Sequence, residues 1–361
     1  MSREFVEGAE ALARAAIDAG CRFFAGYPMT PFTEVLDHMA EKLPAAGGVC
    51  INAESELEAV GMAWGALATG ARAATGSVGQ GLSLMQESFS EITRAELPLV
   101  VFNMARGQSD YFQSTRGGGH GDYYHIILCP IDIHEAIDHV HLAFDLADHW
   151  RNPVQIYGDY LLGHTWESVD LSPRPSAPLP PKHWALDGSL NGTGRARNIN
   201  SLGMTKGAKG IDPESFWNRL QGKFRRIQSA EARIETEFTE DALYIAAAFG
   251  TAAKFVRHVV REMRREGYRI GYVRPITLWP FPADAFKQAA RGVREVGVFE
   301  LNGGQMIEDV RLSLLGDAPA VSIGGISSDT SGFGVGSLLN TARIREILER
   351  NYARVAARRA A

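Results

Sequence analysis

Three carboxylates within five residues, Glu54-Ser55-Glu56-Leu57-Glu58, stand where a polar loop gives way to the small apolar run 59–67. If that run is a buried helix, Glu54 and Glu58 share one face. Glu56 then lies about 200° round from Glu54, so at least one carboxylate starts inside the fold. A buried carboxylate is costly unless it is paired, protonated or used. The competing reading is a helix start that is acidic because carboxylates suit the positive end of the helix dipole. These residues alone leave both open.

Three further loops carry side chains able to do chemistry. In Gly26-Tyr27-Pro28-Met29-Thr30-Pro31 two prolines frame a hydroxyl, Thr30, either to present it or simply to make a rigid turn. Thr75-Gly76-Ser77-Val78-Gly79-Gln80-Gly81 offers small side chains and backbone amides to whatever docks there. It is no Walker loop, because no Lys-Ser or Lys-Thr follows the glycines, and it lacks the dinucleotide spacing. Phosphate binding is a weak expectation here. Met104-Ala105-Arg106-Gly107 places a guanidinium after an apolar run, where it could clamp a carboxylate or tether the next loop. Beyond it, Arg116-Gly117-Gly118-Gly119-His120-Gly121-Asp122 wraps one histidine in glycines. His120 could titrate near a substrate, or bond to Asp110 or Asp122. A lone histidine makes no metal site.

The elements that must position these loops alternate regularly. The pattern predicts helices at 7–19, 33–43, 56–70, 81–95 and 133–150, and strands at 21–27, 49–52, 72–75, 98–104, 126–129 and 154–158. A polar loop is expected over 107–124. Near-continuous apolar strands between helices mean a parallel sheet covered on both faces, with ligands beyond the strands' carboxyl ends. Residues 171–210, crowded with Pro, Gly, Ser and Asn, read as a connector, and 216–236 as a charged helix. A second α/β unit begins at 241–251 with a strand, a glycine turn and a helix. The division expected is 1–170, a linker over 171–236, a second domain over 237–330 and a helical tail over 331–361.

With 361 residues the chain exceeds what one core usually serves, and 45% hydrophobic against 22% charged residues describes an ordinary globular protein. A net charge of −5 argues against nucleic acid or an anionic membrane as partner. The N-terminus lacks a basic stretch followed by an apolar one, and no run is long enough to span a bilayer, so a cytoplasmic location without membrane insertion is expected. Cys21, Cys50 and Cys129 are far apart in apolar settings and read as buried structural thiols, so any metal cluster must come from another chain.

Taken together, the strings resemble one family. They include Tyr27-Pro28-Met29-Thr30-Pro31, Ala53-Glu54-Ser55-Glu56, Leu82-Ser83-Leu84-Met85-Gln86-Glu87, Gln108-Ser109-Asp110-Tyr111-Phe112-Gln113 and Gly117-Gly118-Gly119-His120-Gly121-Asp122. The second unit adds Arg274-Pro275-Ile276-Thr277-Leu278-Trp279-Pro280 and Gly304-Gln305-Met306-Ile307-Glu308-Asp309. The family is the α subunits of thiamine-diphosphate-dependent 2-oxoacid:ferredoxin oxidoreductases, the likeness being greatest to the 2-oxoisovalerate (ketoisovalerate) type.

The resemblance implies an α/β fold: a doubly wound, pyrimidine-type thiamine-diphosphate-binding domain followed by a transketolase C-terminal-like domain. It implies a cofactor site shared with a β subunit that holds the diphosphate and Mg²⁺. Ferredoxin-like and γ subunits would carry 4Fe–4S clusters, the αβ units would pair as a dimer of dimers, and coenzyme A would take the acyl group after oxidative decarboxylation. Glu56 matches the carboxylate that bonds the cofactor's aminopyrimidine. Thr30 and Arg106 match positions that contact the substrate carbonyl and carboxylate. Pro28, Gly79, Gln80 and Gly81 fall at cofactor-binding positions and His120 near the substrate.

Two departures bear on specificity. Relatives carry a further Gly/Pro-rich stretch after the arginine, whereas here Arg106-Gly107 runs straight into Gln108. The stretch from 322 to 336 also differs from the usual Gly-rich ending. Bulky aryl 2-oxo acids (phenylglyoxylate-like) are therefore as credible as branched-chain ones. A non-catalytic assembly subunit and a transketolase-like transferase are the other readings. Retention of Thr30, Glu56 and Arg106 together weighs against a decayed site.

Overall fold

The structure, a computed structural model, describes residues 3–174, 178–179, 181–186, 213–330 and 336–357. Its first part runs β1 (Glu4–Glu7), α1 (Gly8–Asp18), β2 (Phe23–Gly26), α2 (Thr33–Lys42), β3 (Val49–Asn52), α3 (Glu56–Ala68), β4 (Ala73–Ser77) and α4 (Gly79–Arg94). There follow β5 (Val100–Ala105), α5 (Tyr111–Arg116), β6 (Ile126–Leu128), α6 (Ile133–Trp150), β7 (Val154–Asp159), α7 (Tyr160–His164) and β8 (Trp166–Val169). Then come α8 (Pro213–Glu231), β9 (Ile234–Glu237), β10 (Tyr244–Ala248), α9 (Gly250–Arg265), β11 (Ile270–Pro275) and β12 (Thr277–Trp279). The chain continues with α10 (Ala283–Ala289), β13 (Glu295–Phe299), α11 (Met306–Leu314), β14 (Ala320–Ser322) and α12 (Thr341–Ala357).

The larger sheet has the order β12-β6-β7-β5-β4-β2-β3 and is parallel except for β12. The smaller has the order β14-β13-β10-β11-β9, with β9 antiparallel. This is the doubly wound α/β architecture expected, each sheet bearing helices. Helices α1 and α6 bury Leu12, Ala16, Ile137 and Phe144 on one face of the larger sheet. On the other, α3 and α4 bury Val60, Ala63, Leu67, Met85 and Phe89. Each such side chain removed from water contributes about 1.5–3 kcal/mol, small residues less. Among the described residues no helix is long and apolar enough to cross a membrane.

Four features differ from the expectations. The polar loop over 107–124 contains α5, a helix too short to stand on propensity and held from outside. Phe112 N donates to Gln305 Oε1 at 2.8 Å, and Tyr111 Oη donates to Asp309 Oδ2 at 2.6 Å. Strand β12, from the second half of the chain, joins the larger sheet beside β6. At three residues it is too short to show a period, and Trp279 anchors it by stacking on Tyr124 with centroids 4.6 Å apart. The charged helix expected over 216–236 ends at Glu231, and β9 takes its last residues. Finally, Cys50 is only half-buried, unlike Cys21 and Cys129, and all three are free thiols. Most of the expected connector over 171–210, including 187–210, lies outside the described residues, as does part of the divergent 322–336 stretch.

Candidate active site

Because β2, β3, β4 and β5 are parallel neighbours, their carboxyl ends and the four singled-out loops meet along one edge of the larger sheet. The floor is bare backbone. Gly26 pairs with Gly76, and a Cβ on Gly26 would lie 2.7 Å from a ring carbon of Phe32. Phe32, fully buried on this glycine pair, pins the loop after β2 to the sheet. Phe32 N donates to Met29 O at 2.8 Å, leaving Pro28 and Thr30 exposed above.

The acidic string divides at the start of α3. Ser55 is the N-cap, its hydroxyl accepting from Glu58 N at 3.3 Å, while Glu58 Oε2 accepts from Glu54 N at 3.0 Å. This pair of bonds closes the start of α3 and explains the exposed Glu58 carboxylate as local helix chemistry. Glu54 precedes the helix rather than sharing a face with Glu58. Glu56 turns inward and is only 3% exposed. Its Oε1 accepts from the Ser77 hydroxyl at 3.2 Å.

The glycines of Gly79-Gln80-Gly81 have a different reason from the one a phosphate loop would supply. A Cβ on Gly81 would collide with the Glu56 carboxylate and the Ser77 hydroxyl, and one on Gly79 would collide with the carboxylate of Asp110. The first turn of α4 is thus packed against two carboxylates. Its N-cap, Val78, supplies no side-chain cap, and Asp110 takes the Gly79 amide instead. Gln80 is exposed. An amide capped by a carboxylate is a poor phosphate ligand.

Arg106 leaves the end of β5 and its Nε donates to Thr30 O at 3.1 Å, so the guanidinium and the Thr30 loop meet. Asp110, four residues on, is the member of this group that the residue types did not single out. Burial pushes its carboxyl up to about 6, against the pull of Arg106 and the Gly79 amide. Its Oδ2 has no hydrogen-bond partner. Beneath it, burial holds the Tyr157 phenol far above its ordinary range.

His120 is not brought to this group. Its Nε2 lies 2.9 Å from Glu91 Oε1 and 2.9 Å from Arg94 Nη1, on the last turns of α4. At about 1.5 Å per helical residue that is roughly 18 Å from Gly79. The glycines around it do mark close approach, but to the protein itself: a Cβ on Gly119 would collide with Gln86 O. Ser90 also donates its hydroxyl to His120 O. Neither Asp110 nor Asp122 is its partner.

Residues 14–185 match the family described as pyruvate flavodoxin/ferredoxin oxidoreductase, thiamine diphosphate-binding, and residues 242–330 match pyruvate:ferredoxin oxidoreductase core domain II. The ketoisovalerate oxidoreductase subunit VorB of Methanothermobacter thermautotrophicus is 35% identical over 323 residues, covering 87% of this chain and 90% of the relative. The 2-oxoglutarate synthase subunit KorA of the same organism is 36% identical over 339 residues, with 85% and 90% covered. A solved 2-oxoglutarate:ferredoxin oxidoreductase from Magnetococcus marinus shares the fold with a TM-score of 0.81 at 24% identity. The match covers 96% of this chain and 65% of that one. A split-gene transketolase shares it more distantly, with a TM-score of 0.57 at 14% identity over 96% and 99% of the two chains.

Proposed function

The chain belongs to the family of 2-oxoacid:ferredoxin oxidoreductase subunits, and from that premise we propose that it is the α subunit of a complex that oxidatively decarboxylates a monocarboxylic 2-oxo acid to its acyl-coenzyme A. The observation that carries the reading is Glu56, a carboxyl turned inward at the carboxyl edge of the sheet, beside the bare face of Gly81. That donor suits the pyrimidine half of thiamine diphosphate. When bound, the cofactor supplies the nucleophilic carbon and electron sink that decarboxylation of a 2-oxo acid requires.

Each residue of this chain has a separate task. Glu56 holds or accepts a proton at the ring nitrogen of the aminopyrimidine, with Ser77 fixing the orientation of its Oε1. Gly81 lets that carboxyl lie flat against α4, and Pro28 stiffens the loop bordering the same edge. Arg106 takes the substrate carboxylate and Thr30 the carbonyl oxygen. With Asp110 occupying the Gly79 amide, the diphosphate and its Mg²⁺ are assigned to a β subunit. The outer faces of α3 and α4 suit such a partner. Leu57, Met62 and Leu84 are 50%, 39% and 50% exposed, and Gly61 and Gly65 present open backbone between them. Iron–sulfur clusters on ferredoxin-like and γ subunits would then receive the electrons, with αβ units assembled as a dimer of dimers.

Asp110 also bears on the substrate. A carboxylate at the first turn of α4, on which the charge of Arg106 acts, repels a second negative charge, which favours branched-chain or aryl 2-oxo acids over dicarboxylic ones. The test is a screen of the full chain assembled with its partner subunits, against aliphatic, aromatic and dicarboxylic 2-oxo acids. Acyl-coenzyme A formation that needs thiamine diphosphate, and is fastest with a monocarboxylic acid, is the expected result. Assembly without turnover of any 2-oxo acid would point to a non-catalytic subunit instead.

A further inference from the structure

The smaller sheet has a crevice where its strand order doubles back. From β10 the chain crosses to β11 on one side and later to β13 on the other, and in open α/β sheets a ligand lies between the carboxyl ends of such a pair. Here the first half of the chain fills that place. Gln108, only 1% exposed, donates from Nε2 to Phe249 O beyond β10 at 2.8 Å, and its Oε1 accepts from Leu301 N beyond β13 at 2.8 Å. Asn302 Nδ2 closes over it, donating to Gln108 O at 2.9 Å. The glycine turn after β10 is committed too. A Cβ on Gly250 would lie 3.3 Å from Cys129 Sγ and 3.5 Å from Gln108 Nε2, and the Thr251 hydroxyl donates to Asp159.

We propose that Gln108 is a positioning residue: the smaller sheet binds this amide of its own chain at its switch point, and through it sets the direction in which Arg106 reaches the substrate. This rests on the reading of Arg106 as the group that takes the substrate carboxylate. Arg106 is the first residue beyond β5, and only Gly107 separates it from Gln108. A glycine adopts many backbone angles, and a Cβ on Gly107 would meet nothing within 4 Å, so packing at that residue does not fix the turn. Two pins fix it instead. Strand β5 holds the near end, and two residues of chain reach no more than about 7 Å to the Gln108 anchor. Gln305 extends the grip, its Nε2 donating to Ser109 O at 2.9 Å and its Oε1 accepting from Phe112 N at 2.8 Å. Loss of the Gln108 amide frees 106–108 while the sheet beneath stays paired.

The test is Gln108→Met in the full chain assembled with its partner subunits, since methionine keeps the length and loses both bonds. With 2-oxoisovalerate, or phenylglyoxylate should the wild type prefer it, KM should rise about ten-fold while kcat moves less, because a misdirected guanidinium weakens capture of the carboxylate. Arg274→Met, which breaks a contact between the halves away from this loop, is the control: lost stability alone lowers the amount of active complex and leaves KM level. A level KM in Gln108→Met overturns the proposal. Hydrogen–deuterium exchange separates this from failure of the functional reading. In the full chain, amides of 106–110 should exchange faster in Gln108→Met and at the wild-type rate in Arg274→Met. Unchanged exchange overturns the proposal whether or not the complex turns over. Faster exchange, without turnover of any 2-oxo acid by the wild type, supports the pin and overturns only the functional reading. Should Gln108→Met fail to assemble, Gln305→Ala, at a half-buried side chain, should move both readouts the same way by a smaller factor, and neither moving overturns the proposal.

Discussion

Two groups of buried charges sit in this molecule and are treated in opposite ways. Where β11 meets the start of α6, the Arg274 guanidinium is 2% exposed and fully engaged. It donates to both oxygens of Glu135 at 2.8 Å and to Glu235 Oε2 at 2.7 Å. At the carboxyl edge of the sheet, Glu56 accepts from one side-chain hydroxyl, and Asp110 keeps an oxygen with no partner at all. Burial works against the charge on Arg274, yet its bonds to Glu135 raise its pKa. Burial instead pushes Asp110 toward neutrality. A charge saturated by its own chain holds the two halves together. One left with bonding capacity is available to a guest.

The sharpest way to break this comparison is Glu56→Gln. Turnover of a 2-oxo acid by the assembled complex should fall about 10³-fold, the scale of a lost acid–base group, while the thermal midpoint stays near that of the wild type. Retained turnover would remove Glu56 from the chemistry. Arg274→Met should do the reverse. Taking its cation from the half-buried Glu135, while Glu235 keeps Arg257, costs about 1–3 kcal/mol, visible as a lower denaturant midpoint. Any folded fraction should keep a wild-type KM.

Gly81→Ala lies between the two. Its methyl must displace the Glu56 carboxylate or the first turn of α4, costing about 1–3 kcal/mol together with activity. Stability unchanged in a denaturant melt would mean that the packing at Gly81 is looser than described.

The pH dependence of Asp110→Asn is a comparable effect with a definite sign. Asp110 has its pKa raised from 3.8 to about 6 on folding, so the native state holds a proton that the unfolded chain has released. Its stabilising contribution is fully present below the unfolded value and is lost as pH rises through about 6. The variant should therefore gain about 1–3 kcal/mol relative to wild type at neutral pH and little in acid, by paired denaturant melts. A variant less stable at neutral pH would contradict it. The smallest effect is Glu58→Ala, which removes the bond from the Glu54 amide at the start of α3. It should cost about 0.5–1 kcal/mol without changing KM.

Much of the site was legible in the residue pattern because the architecture dictates it. Alternating strands and helices force a parallel sheet, and its loops must then share one edge, so the loops that carry Thr30, Arg106 and Glu56 had to stand on it. The split within the acidic string was legible in outline too, since Glu56 could not share a face with Glu58. His120 and Asp110 were not. Their partners lie across loops whose paths depend on Gln305 and Asp309, nearly two hundred residues away, and on how closely glycines let backbone lie against α4. No local spacing encodes such a path.

The sequence by itself determined the alternation of elements and the edge on which chemistry must stand, because these follow from periodicity; whether a carboxylate turned inward it left open. Tertiary structure alone decided why Gly79 and Gly81 are glycines, that Glu56 turns inward, where His120 goes and that Asp110 lies against Gly79. Those are contacts between backbone and side chains brought together by packing, and no local spacing encodes them.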